Sequence, residues 1–460
     1  MKLTRRQFVV GAAAGAAGAA GIYELVDQLT GSSPARTTSP ARFREQHLLD
    51  GIRVVKENDV EVLVPPLHHR VLTARVAVDA ADLRDAQRTL EQALVDVEGD
   101  YAPSPAGLGV TVAWGRPYFD RFVPGAARRL IPLDRRAGGS VLLEAERFPS
   151  DPPDTRLEAN HVAFLLRSDA HDHIDDAAER IRATKLFTVT SVRRGFAGGG
   201  FSGKQSLPKK MAMAAGVPGA DLIPDTSELF LGFTSTQKAG LGPGLIANHE
   251  TLGFVDLRSG YFHGGTHMHL SHISEDLEAW YLNFDFDERV LTAFRPGLTK
   301  VKQGAQTVPQ GPRDIGTPAQ LAHQFKQTGR FGHSASIQPT SRLLEQVVGP
   351  DGTVYPKGTS IPQRADFNTL DNPFAFSADP ARDQLSDEPV AGVHFVVFNP
   401  SGDDFDRNRL AMDGVLPDGT KLEVSARSRA QGFNSVLTTT HRQNFLVPPR
   451  RHRSFPLAEL

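Results

Sequence analysis

The sequence predicts an α+β fold made of two ferredoxin-like domains with antiparallel sheets, and three observations carry that expectation. Between residues 59 and 192 the hydrophobic pattern runs β-α-β and then β-α-β again, the split βαβ order. A similar order returns after residue 262. The 460 residues are 40% hydrophobic and 23% charged, an ordinary globular composition for a chain of two or three domains. The boundaries that follow are a signal segment over 1–30, a linker over 31–57, an N-terminal domain over 58–235 and a C-terminal domain over 236–460.

Taken in order, Asp59 to Val64 begins a strand-like region, and the alternation of His69 to Val78 continues it. Residues 80–98 read as a helix with Leu83, Leu90, Ala93, Leu94 and Val97 on one stripe. Leu108 to Trp114 is a strand, followed by a short helical piece at Phe119 to Phe122. Asn160 to Leu166 is a strand, His171 to Ala183 an acid-rich helix, and Phe187 to Val192 a strand. The segment 195–255 is rich in Gly and Pro and reads as the connection between the two halves. In the second half Phe262 to Ile273 is strand-like, and Ser274-Glu275-Asp276 caps a helix holding Leu277, Trp280 and Tyr281. Residues 297–330 are long, polar and poor in apolar side chains, which predicts a loop or flap over a site. Val393 to Phe398 is a buried strand, and Asp404 to Met412 a helix.

The charge balance excludes several function classes. Lys plus Arg number 51 against 53 Asp plus Glu, for a net charge of −2, so no global basic excess points to nucleic acid or an anionic membrane. Cysteine is absent, which removes disulfides, thiol nucleophiles, iron–sulfur clusters and thiolate-ligated or covalently attached haem. Any metal must be held by His, carboxylate, Tyr, Met or backbone oxygen, and there are 16 histidines. The N-terminus carries Arg5-Arg6-Gln7-Phe8-Val9 and then a Gly/Ala-rich run ending near Ile22. That pattern is a twin-arginine export signal, too short and too weakly apolar for a membrane span of roughly 20 residues. The expected location is therefore periplasmic, cell-surface or extracellular, reached in the folded state, often with a cofactor already inserted.

Four features could carry chemistry. His333, in Phe331-Gly332-His333-Ser334, is placed to ligate iron or to pack. Arg364, in Ile361-Pro362-Gln363-Arg364-Ala365-Asp366, could stabilise an oxyanion or form a salt bridge with Asp366. His263, His267, His269 and His272 form a run in which 263, 267 and 269 share one strand face and 272 takes the other, a metal site or a polar sheet face. The run Gly195 to Gly200 lacks the spacing of a nucleotide loop and reads as a flexible connection. Neither a GxSxG elbow nor an HExxH motif is present.

The order of several fragments resembles the dye-decolourising peroxidase superfamily, haem proteins of two ferredoxin-like domains in the dimeric α/β-barrel arrangement. The fragments are Leu108 to Gly115 with Tyr118 to Phe122, Leu231-Gly232-Phe233, Gly264 to Trp280, Phe331-Gly332-His333, Arg364, Val393 to Phe398 with Phe405, and Phe445 to Pro449. The resemblance covers about residues 60–450. It implies haem b as cofactor, His333 as the fifth iron ligand with a carboxylate on its other nitrogen, and Arg364 as the distal guanidinium. Hydrogen peroxide and an organic reductant would be the substrates, with the twin-arginine translocase as export partner, no nucleic acid, and a homo-oligomer left open. The family's distal aspartate falls at Ser235, and a hydroxyl cannot serve as general base near neutral pH as a carboxylate does. Three readings stand: a haem peroxidase or oxidase, a haem-binding protein without efficient turnover, and a non-haem protein using the histidine run for another metal.

Overall fold

The computed structural model describes residues 36–37, 45–57, 60–197, 206–232, 249–257, 259–294, 299–303, 306–310, 315–330, 332–349, 352–372, 388–424 and 429–460. The signal segment and Ser235 lie outside the described residues.

The first half contains β1 (His68–Val76), α1 (Leu83–Asp100), β2 (Gly109–Gly115), β3 (Val162–Ser168), α2 (His171–Ala183) and β4 (Phe187–Phe196). The strands pair antiparallel in the order β4-β1-β3-β2. The second half contains β5 (Thr266–Glu275), α3 (Leu277–Asn283), α4 (His333–Ser341), β6 (Phe367–Thr369), β7 (Gly392–Asn399), α5 (Gly402–Met412) and β8 (Leu437–Val447). Its order is β6-β7-β5-β8, the same split βαβ topology. Two short seams join the sheets. Phe196 of β4 pairs with Asn368 of β6, and Phe445 and Leu446 of β8 pair with Gly115 and Trp114 of β2. The strands named here therefore form a closed ring, which removes exposed sheet edges.

Side-chain alternation sorts the strands into an inner and an outer face. Val71, Leu165, Met268, Leu270, Val396, Phe398, Phe445 and Val447 fill the barrel interior. The other parity of the first half, including Leu72, Val112, Trp114 and Phe164, packs under α1 and α2. Helix α1 buries Leu83, Ala86, Leu90, Leu94 and Val97, a 3–4 spacing that puts one stripe against the sheet. Each such aliphatic contributes about 1.5–3 kcal/mol by leaving water. The C-terminal tail straps this layer down: Trp114 Nε1–H donates to the Arg453 carbonyl at 2.8 Å, and Tyr118 O–H to that of Pro456 at 3.0 Å.

Three expectations are corrected. Val60–Val64 does not extend into β1 but pairs with Arg53–Glu57 in a separate small sheet. The 297–330 segment is not a structureless flap. It holds the hairpin Thr299–Gln303/Gln306–Gln310 and the helix Pro318–Thr328, started by a reciprocal capping box between Thr317 and Gln320. The connection over 195–255 contains the helix Leu207–Ala214, N-capped by Ser206.

Candidate functional site

His333 opens α4. Gly332 precedes it in extended conformation and supplies no side-chain cap. The imidazole is half-buried, 4.9 Å between centroids from the Phe433 ring, and its Nδ1 is enclosed without a hydrogen-bond partner. Burial pushes its pKa down to about 4, and the guanidiniums of Arg364 and Arg409 push it the same way. At neutral pH the ring is therefore neutral and carries a lone pair, the form that binds a metal. Among the described residues no carboxylate meets this nitrogen, which differs from what the resemblance implies.

Arg364 lies on the two-residue strand Gln363–Arg364, paired to β7 through Arg364↔Val397. Its side chain is 40% exposed, with Nε 3.7 Å from Asp366 Oδ1, so the loose salt bridge weighed from the sequence is present. Its charge still reaches His333. The register places Arg364, Val397, His269 and Asn444 in one row across neighbouring strands. The next row is Asn399, His267 and Leu446. Because Phe398, Met268 and Phe445 point into the barrel, these rows point outward, toward α5.

That outer face carries polar groups without partners. His269 Nδ1 lies 2.7 Å from Asn444 Oδ1, which fixes the proton on Nδ1 and leaves Nε2 as an unused lone pair. Neither nitrogen of His267 makes a hydrogen bond, although the Asn444 amide is near. The Asn399 amide is likewise unsatisfied. Burial pushes the His267 pKa down to about 3. Phe405 of α5 stacks on His269 with 3.4 Å between centroids and an interplanar angle of 14°.

The histidine run is split by the structure. His263 is not on the strand; it sits in a turn, with Nδ1 2.6 Å from the Leu257 carbonyl and 2.8 Å from Glu250. His267 and His269 point outward as expected. His272 points into the barrel, with Nδ1 2.8 Å from Thr440 Oγ1 and Nε2 3.1 Å from the Asp371 carbonyl. Among the described residues no group of three or more His, Asp or Glu side chains is arranged to hold a metal ion. The four histidines are thus not brought together, and His267 and His269 lie on a polar outer sheet face. Trp280 and Tyr281 are anchored in the core, donating to the carbonyls of Leu231 and Phe230. Glu250 accepts from Gly264 N–H and is thus part of the turn that starts β5.

The residues that the sequence reading missed are Arg409, Phe433, Asn399 and Asn444 around the outer face, and the buried pair His394–Asp371 inside the barrel, 2.9 Å apart. Strand alternation from His267 would have found Asn444 and Asn399 only once the pairing register was known.

The donor set fits haem in two respects: a neutral imidazole with an available lone pair, and unsatisfied buried polar atoms beside a guanidinium. His333 lines neither of two concavities, a small recess of about 10 Å³ beside His68 and Arg70 and an open groove over α1 and α2.

Solved structures with a similar course of chain include DyPB from Rhodococcus jostii RHA1, at 13% identity and TM-score 0.47, covering 85% of this chain and 95% of that one. A putative dyp-type peroxidase from Shewanella oneidensis matches at 13% identity and TM-score 0.46, covering 84% and 94%. The dye-decolorizing protein from V. cholerae matches at 12% and 0.43, covering 85% and 96%. No curated protein matches the sequence. A family model matches residues 66–348, well over half of the sequence, and by that match the chain belongs to DUF7405, a family of unknown function.

Proposed function

We propose that the chain binds haem b through His333 and acts on hydrogen peroxide with an organic reductant. The observation that carries this reading is the half-buried imidazole of His333, kept neutral by burial and by the charge of Arg364. The ordered motif pattern from Leu108 to Pro449 supports it. Haem, when bound, supplies the iron at which peroxide is taken up. His333 contributes its lone pair without first releasing a proton, because its pKa lies near 4. Arg364 is charged at every working pH and attracts a hydroperoxide anion or a propionate. Export in the folded state through the twin-arginine route, signalled by Arg5-Arg6, belongs to the same reading.

The protein as purified should show a Soret band, and His333→Ala should lose it. A band that persists unchanged in that variant overturns the assignment of the ligand.

A second reading is favoured by two observations. The position of the distal acid is Ser235, and His333 Nδ1 has no carboxylate to raise its electron density. Both weaken turnover more than binding. A Soret band without peroxide-dependent dye oxidation would select haem binding alone.

A further inference from the structure

One mouth of the barrel holds a buried positive charge that no carboxylate among the described residues balances. His69 of β1 and Arg167 of β3 are directly opposite in the ladder, flanked in register by Gly195 of β4 and Gly109 of β2. Both share the inward parity of Val71 and Leu165. His69 is 2% exposed and stacks on Phe367 at 4.8 Å, and neither of its nitrogens has a partner. Arg167 is 6% exposed; one of its Nη groups donates to the His47 carbonyl at 3.1 Å, and its Nε has no acceptor.

A buried guanidinium costs several kcal/mol unless it meets an anion, and folded proteins pair such groups. Among the described residues no carboxylate takes that part. Burial pushes the Arg167 pKa down to about 10, and burial together with the Arg167 charge holds that of His69 well below the ordinary histidine value. Water could satisfy the hydrogen bonds but not the charge.

The mouth is walled by small clearances. A Cβ on Gly195 would run into the Asn368 carbonyl and the Phe367 ring, and one on Gly109 into Leu49. Residues 46–49 close the opening from above, with the Gln46 amide bonded to Val112 and Pro448. Next to it lies a recess that includes His68, Arg70, His171 and Arg194 in its lining, where Asp175 pairs with Arg70 at 2.6 Å.

We propose that Arg167 and His69 form a binding site for one small monovalent anion of halide size, buried in the barrel mouth and separate from the His333 site. Arg167 supplies the charge and its Nε–H, and His69 one ring N–H.

Bromide is the probe. The thermal midpoint of the full chain is measured as bromide replaces gluconate at constant ionic strength. A hundredfold rise in bromide should lift it by roughly 2–4 °C, and Arg167→Met should be flat. His69→Phe keeps the stack on Phe367 and should weaken the dependence. Crystals grown in bromide should show an anomalous peak beside Arg167 Nε. A flat wild-type response, an unchanged slope in Arg167→Met, or density there without anomalous signal, meaning water, would each overturn the proposal. Should Arg167→Met fail to fold, the crystal peak and His69→Phe decide it.

Discussion

At the scale of single residues the chemistry turns on how basic His333 is. Burial is the largest cause of its low pKa, with the Arg364 and Arg409 charges behind it. Arg364 is 40% exposed and its Nε lies 3.7 Å from Asp366, and an exposed ion pair of this kind contributes at most about 1 kcal/mol. Its effect on His333 is separable from stability. Arg364→Gln should leave the urea midpoint nearly unchanged while raising the His333 pKa, though not to the value of a solvated imidazole, since burial remains. An NMR titration of the His333 ring in the haem-free protein checks this. An unchanged titration would mean that the two side chains do not share a site, and the haem reading would lose its distal partner.

At the scale of elements, α5 is the piece that covers the outer face, and buried charges fasten it. Asp151 accepts from Arg409 at 3.2 Å and from Arg442 at 2.8 Å, while Arg409 also meets Asp413 at 2.9 Å. Phe148 lies against both guanidiniums, 5.4 and 4.7 Å from its centroid. Asp151→Asn takes from the buried Arg442 the carboxylate it pairs with and leaves Arg409 with Asp413 alone, which should cost about 3–5 kcal/mol. Urea unfolding measures that loss; a cost below about 1 kcal/mol would show that α5 is held by packing alone. Elements of this kind were legible where one periodicity ruled. His171–Ala183 is the helix read from the sequence, residue for residue, because its stripe of Ile174, Ala177, Ala178 and Ile181 stands against acids and arginines. The start of β5 was misread because the apolar rhythm runs through Gly264 and Gly265. Gly264 sits at φ +82°, and a Cβ on Gly265 would meet the Val447 carbonyl, so the pair makes a turn and leaves His263 outside the strand. The 297–330 segment misled through its lack of apolar residues, although the Thr317-Pro318-Ala319-Gln320 capping signal marked a helix start.

At the scale of the whole molecule the doubling of one topology was legible, but the closure was not. The two seams rest on one and two residue pairs, and no periodicity announces which strands meet. The closed barrel has a consequence for acid stability, because it buries imidazoles on both faces of its wall. Burial holds His69, His269, His272 and His394 well below the ordinary histidine value, His267 at about 3, and His161, His333 and His441 at about 4. A histidine depressed in the native state takes up its proton more readily when unfolded. Between the unfolded value of about 6.5 and the folded value the unfolded chain therefore binds more protons, and stability falls as pH falls. Three acids work the other way: burial raises Glu275 to about 8, Asp406 to about 7 and Asp404 to about 6, so each favours the native state as pH drops toward the ordinary carboxylate value. The histidines outnumber them and include the most deeply enclosed groups. Urea midpoints should accordingly decline from pH 7 to pH 4.5, with most of the loss below pH 6.5. His161→Phe, at a position beside the Phe122 ring, should flatten part of that decline. A midpoint that holds steady or rises on acidification would mean that the carboxyl groups dominate, and that the imidazoles in the barrel wall are more hydrated than their packing implies.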